Sequence, residues 1–299
     1  MKQYYPSAGL HLLCKLFGKS RQAFYDHSRR KSNSQLQEGL IIELVKAVRV
    51  SLPRVGGLKL LYLLKDDFRV HNINIGRDSF FRLLKGHNLL VKTRKRFVRT
   101  TMSNHHFKRW ADLTTGLQLT AAQQLWVSDI TYLTTQQGFI YLSLITDAYS
   151  RKIVGYHLSQ YLKARGCLIA LNKAIGSLSG AVTVIHHSDR GIQYCCDEYV
   201  SVLQQHTITI SMTQNGSPYD NAIAERVNGI LKTEFHLGQT FSSYSAAVPV
   251  VHCAIDAYNR IRPHMSCENL TPQMAHLKTG AFVKKWKPKK YCKAKTVSL

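Results

Sequence analysis

Three features are scarce or missing in this sequence of 299 residues, and each absence excludes a class of protein. Acidic residues are few, because 17 Asp and Glu stand against 41 Lys and Arg, a formal net charge of +24 at pH 7. No stretch approaches the ~18 apolar residues of a transmembrane helix, and no signal-peptide core is present. The seven cysteines form no CxxC pair, so neither a disulfide framework nor a structural zinc site is expected. These absences predict a cytosolic protein with a polyanionic partner.

The positive charge is distributed unevenly along the chain. Residues 121–240 contain eight basic and eight acidic residues, so this segment is formally neutral. The flanking segments carry the whole excess, with 33 basic residues against 9 acidic ones. A generally basic protein would not show this division. The distribution therefore favours a neutral, catalytic middle segment with flanks that bind nucleic acid.

The N-terminal 103 residues contain two helical patterns of the kind found in DNA-binding proteins. Residues 1–39 predict two short helices separated by Gly18, which is typical of a helix-turn-helix, although an amphipathic helical hairpin packed on a neighbour fits equally well. Residues 40–103 predict a winged-helix-like domain of three short helices, the third with Phe80, Phe81 and Leu84 facing inward.

A basic run follows the third helix and is predicted to lie along a phosphate backbone, a contact that provides affinity without sequence information. Its candidate DNA-binding residues are Lys92, Arg94, Lys95 and Arg96. Residues 104–120 are polar and predict a linker. A lysine-rich tail, 278–299, is predicted to hold DNA by counterion release.

Residues 121–277 have the pattern of a mixed α/β domain. Three strand-like runs with short polar breaks predict an antiparallel meander; they are WVSDITYLTT, FIYLSLITDAYS and RKIVGYHLS. A helix, a buried strand (AVTVIHH), a second helix, a short strand (ITISMT) and a long helix follow. The long helix is predicted to begin at Ser217, with Pro218 and Asp220 in its first turn.

Three acidic residues on separate elements predict a metal site. Asp129 lies in the first strand, Asp189 follows the buried strand, and Glu225 lies in the long helix after thirty-five intervening residues. Mg²⁺ prefers oxygen ligands, and two such ions can activate the attacking oxygen and stabilise the leaving oxygen at phosphorus. Each acid alone is better explained by a turn or a surface ion pair, but the three together favour the metal site. Lys232 lies on the same helix face as Glu225 and is predicted to contact a phosphate.

Other polar residues near these acids are assigned differently. Asp147 begins the turn DAYSR, and Asp220 is assigned to the helix cap, so neither is predicted to bind metal. For His186 and His187, a strand-end hydrogen bond or a phosphate contact is favoured over metal ligation, because hard Mg²⁺ disfavours imidazole.

The chain contains, in this order, WVSDITYL, ITDAYSRKIVGY, HSDRGIQY, GSPYDNAIAERVNGILKTE, YNRIRPH and LTPQMAH. With these motifs, residues 40–277 resemble the bacterial insertion-sequence transposases of the retroviral-integrase-like DDE class, in the group whose downstream reading frame encodes the catalytic part. The resemblance implies a ribonuclease-H-like α/β fold: a mixed five-stranded sheet with flanking helices, preceded by a helical, helix-turn-helix-type DNA-binding region. It also implies that Asp129, Asp189 and Glu225 are catalytic ligands of two Mg²⁺ ions, which Mn²⁺ can replace.

The implied reaction is metal-dependent cleavage at DNA 3′ ends and transfer of the 3′-hydroxyl to a phosphodiester. The implied partners are double-stranded DNA at the element ends and target, a homo-oligomer on DNA, and an upstream-frame DNA-binding protein or fusion, in the bacterial cytoplasm at the nucleoid. Arg190 and Lys232 are predicted to contact DNA. The sequence departs from the family pattern at Arg226, where a small serine is common, and at Cys267, where an apolar residue is common. Alternative functions are a metal-dependent nuclease and a non-catalytic DNA-binding repressor.

Overall fold

The computed structural model of the chain describes residues 9–91, 107–108, 110–180, 183–214 and 221–283. The chain divides into two compact units, one comprising residues 1–51 and 55–92 and the other residues 52–54 and 93–299. Among the described residues, no helix is both long enough and apolar enough to cross a membrane. The predicted basic run and most of the basic tail lie outside the described residues, including Lys92, Arg94, Lys95 and Arg96.

The N-terminal unit is helical in its described part. Its helices are α1 (Leu10–Leu16), α2 (Arg21–Ser51), α3 (Gly57–Leu63), α4 (Lys65–Val70) and α5 (Arg77–Gly86). The boundary expected between residues 39 and 40 falls inside α2, because a single glycine, Gly39, costs only about 1 kcal/mol in a helix and does not end it. Phe80 and Leu84 of α5 are fully buried, as predicted. Phe81 is only partly buried, and an added Cβ at Gly57 would be 2.8 Å from the Cζ atom of its ring, which would have to shift.

The C-terminal unit contains a mixed sheet with helices on both faces. The strands are β1 (Leu125–Thr135), β2 (Gly138–Asp147), β3 (Ile153–Ser159), β4 (Ile185–Ser188), β5 (Thr209–Met212) and β6 (Thr240–Phe241). The helices are α6 (Ala164–Ile175), α7 (Ile192–Cys195), α8 (Asp197–Gln205), α9 (Ala222–Glu234), α10 (Tyr244–Arg260) and α11 (Pro272–Ala275). The strand order is β3-β2-β1-β4-β5.

The predicted meander is confirmed, because β1, β2 and β3 pair antiparallel while β4 and β5 continue the sheet in parallel. The predicted mixed five-stranded sheet is confirmed, and the two-residue strand β6 adds a short parallel pairing with β1. The predicted helix start at Ser217 lies outside the described residues. Within them, α9 begins at Ala222.

Alternation along β1 directs its side chains to two different cores. Trp126 and Ile130 pack with α6, α7 and α8 on one face, whereas Leu125 and Val127 pack with Ala224 of α9 on the other. Asp129 has the same parity as Leu125 and Val127, so it belongs to the α9 face.

One edge of β1 has a gap in its pairing. On this edge β1 pairs with β4 over residues 125–127 and with β6 over residues 134–135. Within the described part of the chain, residues 128–133 therefore have no neighbouring strand on this edge. The side chain of Asn221 partly replaces one, because its Nδ2 donates to the Ser128 carbonyl at 2.9 Å.

Candidate active site

The three candidate carboxylates lie around this gap in the sheet. Asp129 is in the stretch of β1 that has no neighbouring strand on one edge. Asp189 directly follows β4, and Glu225 lies in the first turn of α9. Burial, together with the negative charges of Asp189 and, to a smaller extent, Glu225, raises the pKa of Asp129 to about 7, although its hydrogen bonds from Asn228 and Ile130 oppose the shift. The structure thus brings the three acids within range of one another's charge.

The acids do not form a closed ligand set. Among the described residues, no three His, Cys, Asp or Glu side chains are arranged as a ready metal-binding group. This arrangement has a physical reason, because three carboxylates that converge without a cation repel one another strongly. The three acids nonetheless offer carboxylate oxygens, the ligands that Mg²⁺ prefers over thiolates or imidazoles.

A buried asparagine on α9 holds Asp129, a role that the sequence motifs did not predict. Asn228 Nδ2 donates a hydrogen bond of 2.7 Å to Asp129 Oδ2, and the backbone N–H of Ile130 donates to Asp129 Oδ1 at 2.9 Å. Asn228 lies one turn after Glu225, so one face of α9 carries both side chains. The available signal was a polar residue within the apolar stripe of the helix.

Asn221 and Asn228 fix α9 to β1 on either side of Glu225. Both asparagines are buried, and each donates an amide N–H to β1, Asn221 to the Ser128 carbonyl and Asn228 to the Asp129 carboxylate. Asn221 occupies the N-cap position of α9 but makes no side-chain cap, because its amide crosses to the strand. These two bonds set the position of Glu225 relative to β1.

Lys232 shares the electrostatic environment of Asp129. Its Nζ lies 4.3 Å from the centre of the Tyr132 ring, a cation–π contact. Burial lowers the pKa of Lys232, and the negative charge of Asp129 opposes that shift. The Lys232 ammonium therefore lies near the carboxylates while remaining partly exposed.

The assignment of Asp147 to a turn is confirmed. Its buried carboxylate accepts hydrogen bonds from the backbone N–H of Ser150 at 2.8 Å, the Ser150 hydroxyl at 2.7 Å and the backbone N–H of Gln123 at 2.7 Å. Both carboxylate oxygens of Asp147 therefore accept hydrogen bonds within the protein, from the turn and from Gln123. The cap assigned to Asp220 lies outside the described residues.

The two histidines before Asp189 are internal hydrogen-bonding residues. His186 Nε2 is 2.6 Å from the Ser128 hydroxyl and 2.9 Å from the Tyr199 hydroxyl, and His187 Nδ1 is 2.8 Å from the Ser211 hydroxyl. Both rings are fully buried. The hydrogen-bond interpretation is confirmed, and the phosphate contact is wrong because neither ring reaches the surface. Arg190, which follows Asp189, is partly buried.

The lowered pKa of His186 predicts that the folded protein loses stability in acid. Burial, together with the neighbouring His187, lowers its pKa from 6.5 to about 3. The unfolded chain therefore binds a proton that the folded chain does not between these values. Stability should be retained above pH 6.5 and fall by as much as about 1.4 kcal/mol per pH unit as the pH drops from 6.5 toward 3.

The check is chemical denaturation across this pH range for the wild type and for His186→Gln, whose amide does not titrate. We expect a shallower pH dependence in His186→Gln. The exposed His252 on α10 provides the control variant His252→Gln, which should keep the wild-type slope. Equal slopes for wild type and His186→Gln would contradict the prediction.

The motif YNRIRPH joins the end of α10 to α9 and to the sheet. Arg262 is buried and makes a bidentate ion pair with Glu234, the last residue of α9, with both N–O distances 2.8 Å. Asn259 bonds both the N–H and the carbonyl of Ile153 at 2.9 and 3.0 Å, and the Tyr258 hydroxyl donates to the Arg151 carbonyl at 3.0 Å. The motif therefore anchors the end of α9, the helix that carries Glu225 and Lys232.

The departure at Cys267 is accommodated by the fold. Its thiol is fully buried and lies 3.7 and 3.6 Å from the carbonyls of Tyr149 and Ser150, to which it donates. A small side chain with a weak donor fits against this turn. Arg226, the other departure, is exposed on α9.

The integrase core domain family matches the chain over residues 120–218 and again over residues 206–272. The chain is 32% identical over 263 residues to the insertion element IS600 uncharacterized 31 kDa protein of Shigella sonnei, covering 87% of this chain and 96% of that protein. It is 30% identical over 273 residues to a putative transposase for insertion sequence element IS986/IS6110 of Mycobacterium tuberculosis, covering 89% and 96%. It is also similar to the HTLV-2 integrase catalytic core domain in complex with magnesium, with 17% identity, a TM-score of 0.42, and coverage of 52% and 97%.

The C-terminal unit is thus an integrase core of the DDE class, in which a ribonuclease-H-like sheet supports the candidate site. Nearly the full length of the two bacterial relatives is covered, so the likeness extends beyond that core into the helical N-terminal unit. The chain belongs to the family of insertion-sequence transposases. The resemblance expected from the sequence motifs is confirmed.

Proposed function

We propose that this transposase cleaves DNA at the 3′ ends of its insertion sequence and joins those ends to target DNA, with Asp129, Asp189 and Glu225 holding the divalent metal ions. The observation that carries the proposal is the placement of Asp129. It lies in the stretch of β1 that has no neighbouring strand on one edge, and Asn228 donates a hydrogen bond to its carboxylate. The negative charges of Asp189 and Glu225 both raise its pKa.

The residues around Asp129 fit a divalent cation. The charges of Asp189 and Glu225 raise the pKa of Asp129, so the three carboxylates form a region of negative potential, which a cation relieves. The oxygen donor set favours Mg²⁺, and Mn²⁺ is expected to replace it. When bound, two such ions would activate the attacking oxygen and stabilise the leaving oxygen at the phosphodiester.

The remaining groups would position the DNA. In end cleavage the oxygen of water attacks phosphorus, and in joining the oxygen of a DNA 3′-hydroxyl does so, while the P–O bond opposite breaks and its oxygen leaves. Lys232 and Arg190 would contact phosphates beside the acids. Asn228 would hold Asp129 in its orientation through the 2.7 Å hydrogen bond.

The N-terminal unit is proposed to bind the same DNA. Helix α5 buries Phe80 and Leu84 and exposes three basic side chains, as a DNA-contacting helix does. The exposed basic residues are Arg77, Arg82 and Lys85. The run 92–96 and the tail would add phosphate contacts. The proposed partners are double-stranded DNA, further copies of this chain and an upstream-frame DNA-binding protein, in the bacterial cytoplasm at the nucleoid.

One assay separates this function from its alternatives. The protein is incubated with labelled linear DNA carrying the element ends, in Mg²⁺ or Mn²⁺ and in a chelator. Joined products that require the metal support the transposase. Cleavage without joining would favour a nuclease, and binding without either reaction would favour a repressor.

Replacing Asn228 with Ala is expected to lower the rate of end cleavage roughly 10- to 100-fold and to raise the metal concentration needed for half-maximal rate. Groups that orient metal ligands typically have effects of this size. The matched control is Thr233→Ala on the same helix, which removes the exposed γ-methyl group and the hydroxyl bonded to the Gly229 carbonyl. The rate is measured as a function of metal concentration. An unchanged metal dependence in Asn228→Ala would rule out the orienting role.

A further inference from the structure

Two aromatic side chains are exposed on the sheet beside the candidate site. Tyr132 in β1 is 37% exposed and Phe139 in β2 is 57% exposed. Tyr132 lies opposite Tyr141 and Thr134 lies opposite Phe139, so the two exposed rings are diagonal neighbours on one face of the hairpin. Their centres are 5.2 Å apart with planes inclined by 69°, an edge-to-face contact. Phe139 is the more exposed of the two rings, so most of the open aromatic surface of the pair belongs to it.

A cation connects this aromatic pair to the carboxylates. Lys232 Nζ lies 4.3 Å from the centre of the Tyr132 ring, and its ammonium responds to the charge of Asp129. Tyr132 and Asp129 are three residues apart on an extended strand, so their Cα atoms are about 10 Å apart and their side chains leave opposite faces of the sheet. Both positions lie in residues 128–133 of β1, which have no neighbouring strand on one edge within the described part of the chain, and Lys232 of α9 contacts the Tyr132 ring. A DNA strand that passes around this edge from the carboxylates would therefore bring a base to the aromatic pair.

We propose that Tyr132 and Phe139 form a stacking site for an unpaired nucleobase near the DNA end, with Lys232 binding the adjoining phosphate. This inference rests on the proposed function, which brings the DNA end to the carboxylates. Every base has a flat π face that can stack on an aromatic ring, but bases inside a duplex are already stacked on one another. The occupant is therefore a base in a frayed or single-stranded end.

The chemistry of the patch favours nucleic acid over a protein partner. A stable protein interface buries about 800 Å² on each side, far more than two rings provide. The positive charge beside the rings suits a phosphate, and alternating aromatic and basic groups are the usual composition of single-strand binding surfaces.

The test compares two DNA probes and needs no metal. One is a duplex with a short single-stranded overhang that carries 2-aminopurine, and the other is a blunt duplex of the same paired sequence. Phe139→Leu keeps an apolar side chain without a ring and is expected to weaken binding of the overhang probe roughly 5- to 150-fold. Its affinity for the blunt duplex should be unchanged. Phe139→Trp should retain both the affinity and the quenching of 2-aminopurine.

The matched control is Tyr161→Leu, which removes an aromatic side chain that is 67% exposed and lies outside the pair. Equal loss on both probes, or no loss on the overhang probe, would overturn the stacking site. A change in oligomeric state without a change in overhang affinity would show that the two rings contact another protein chain. That result would also overturn the stacking site. Failure of the proposed function would be seen separately, as the absence of metal-dependent joining by the wild type. The binding measurements do not depend on the joining reaction.

Discussion

Replacing Asp189 with Asn is expected to reduce end cleavage and joining together by roughly a thousandfold or more, because it removes a negative charge from the candidate metal site. Asn has nearly the same size and keeps an oxygen acceptor. The hydrogen bond from the Gly191 backbone N–H, now 3.0 Å from Asp189 Oδ1, can therefore persist in the variant. The turn after β4 should remain intact, and the loss should come from the missing charge.

The measurement is the rate of each reaction with labelled DNA ends in Mg²⁺ and in Mn²⁺, together with the affinity for those ends. Affinity should be unchanged or higher in Asp189→Asn, since a negative charge facing DNA is removed. The control is Asp197→Asn, an exposed acid in the first turn of α8, which should react within a few-fold of the wild type. Joining by Asp189→Asn at a rate near that of the control would exclude Asp189 from the site.

Replacing Arg262 with Ala is expected to lower the free energy of unfolding of the C-terminal unit by about 3–5 kcal/mol. Arg262 is 1% exposed, and its loss leaves the carboxylate of Glu234 without its bidentate partner in a largely buried place. The ring of Tyr258, 5.7 Å from the guanidinium, also loses its cation. Because Glu234 ends α9, the same change should reduce end cleavage by loosening that helix.

Denaturant titration checks this prediction against a control from the same stretch of chain. Arg260 pairs with Asp256 at 2.7 Å, but both side chains are well exposed, so Arg260→Ala should cost no more than about 1 kcal/mol. Arg262→Lys should be intermediate, because an ammonium cannot reproduce the two parallel hydrogen bonds. Combining Arg262→Met with Glu234→Gln should recover most of the loss, since no charge is then left unpaired. Equal effects of Arg260→Ala and Arg262→Ala would contradict the assignment.

The fold was predictable where apolar residues recur at the spacing of a strand or a helix. The runs that became β1, β2 and β3 have the alternation and short breaks of a meander, and the apolar run before Asp189 has the composition of a central strand. The continuation of α2 past residue 39 was not predicted, and Gly39 does not interrupt the helix, because one glycine inside a helix costs only about 1 kcal/mol. Strand β6 has no local signal, since two residues become a strand only by pairing with β1.

The candidate site was predictable in part for the same reason. Asp129, Asp189 and Glu225 stand at positions that the order of elements and the motifs single out. Asn228 could not be separated from an ordinary helix residue, because its role depends on a hydrogen bond to a strand distant in sequence. The burial of His186 and His187 likewise depends on the helices that cover the sheet.

The hydrogen bond between Asn228 and Asp129 spans 99 residues, and the helix that carries Asn228 is in turn anchored by Arg262. During synthesis the chain emerges from the ribosome in order, so Asp129 is exposed long before either partner exists. The site can be completed only after residue 262 has been made. Nascent or truncated chains that stop earlier therefore lack the assembled candidate site. The proposed cleavage of DNA then requires nearly complete translation of this unit.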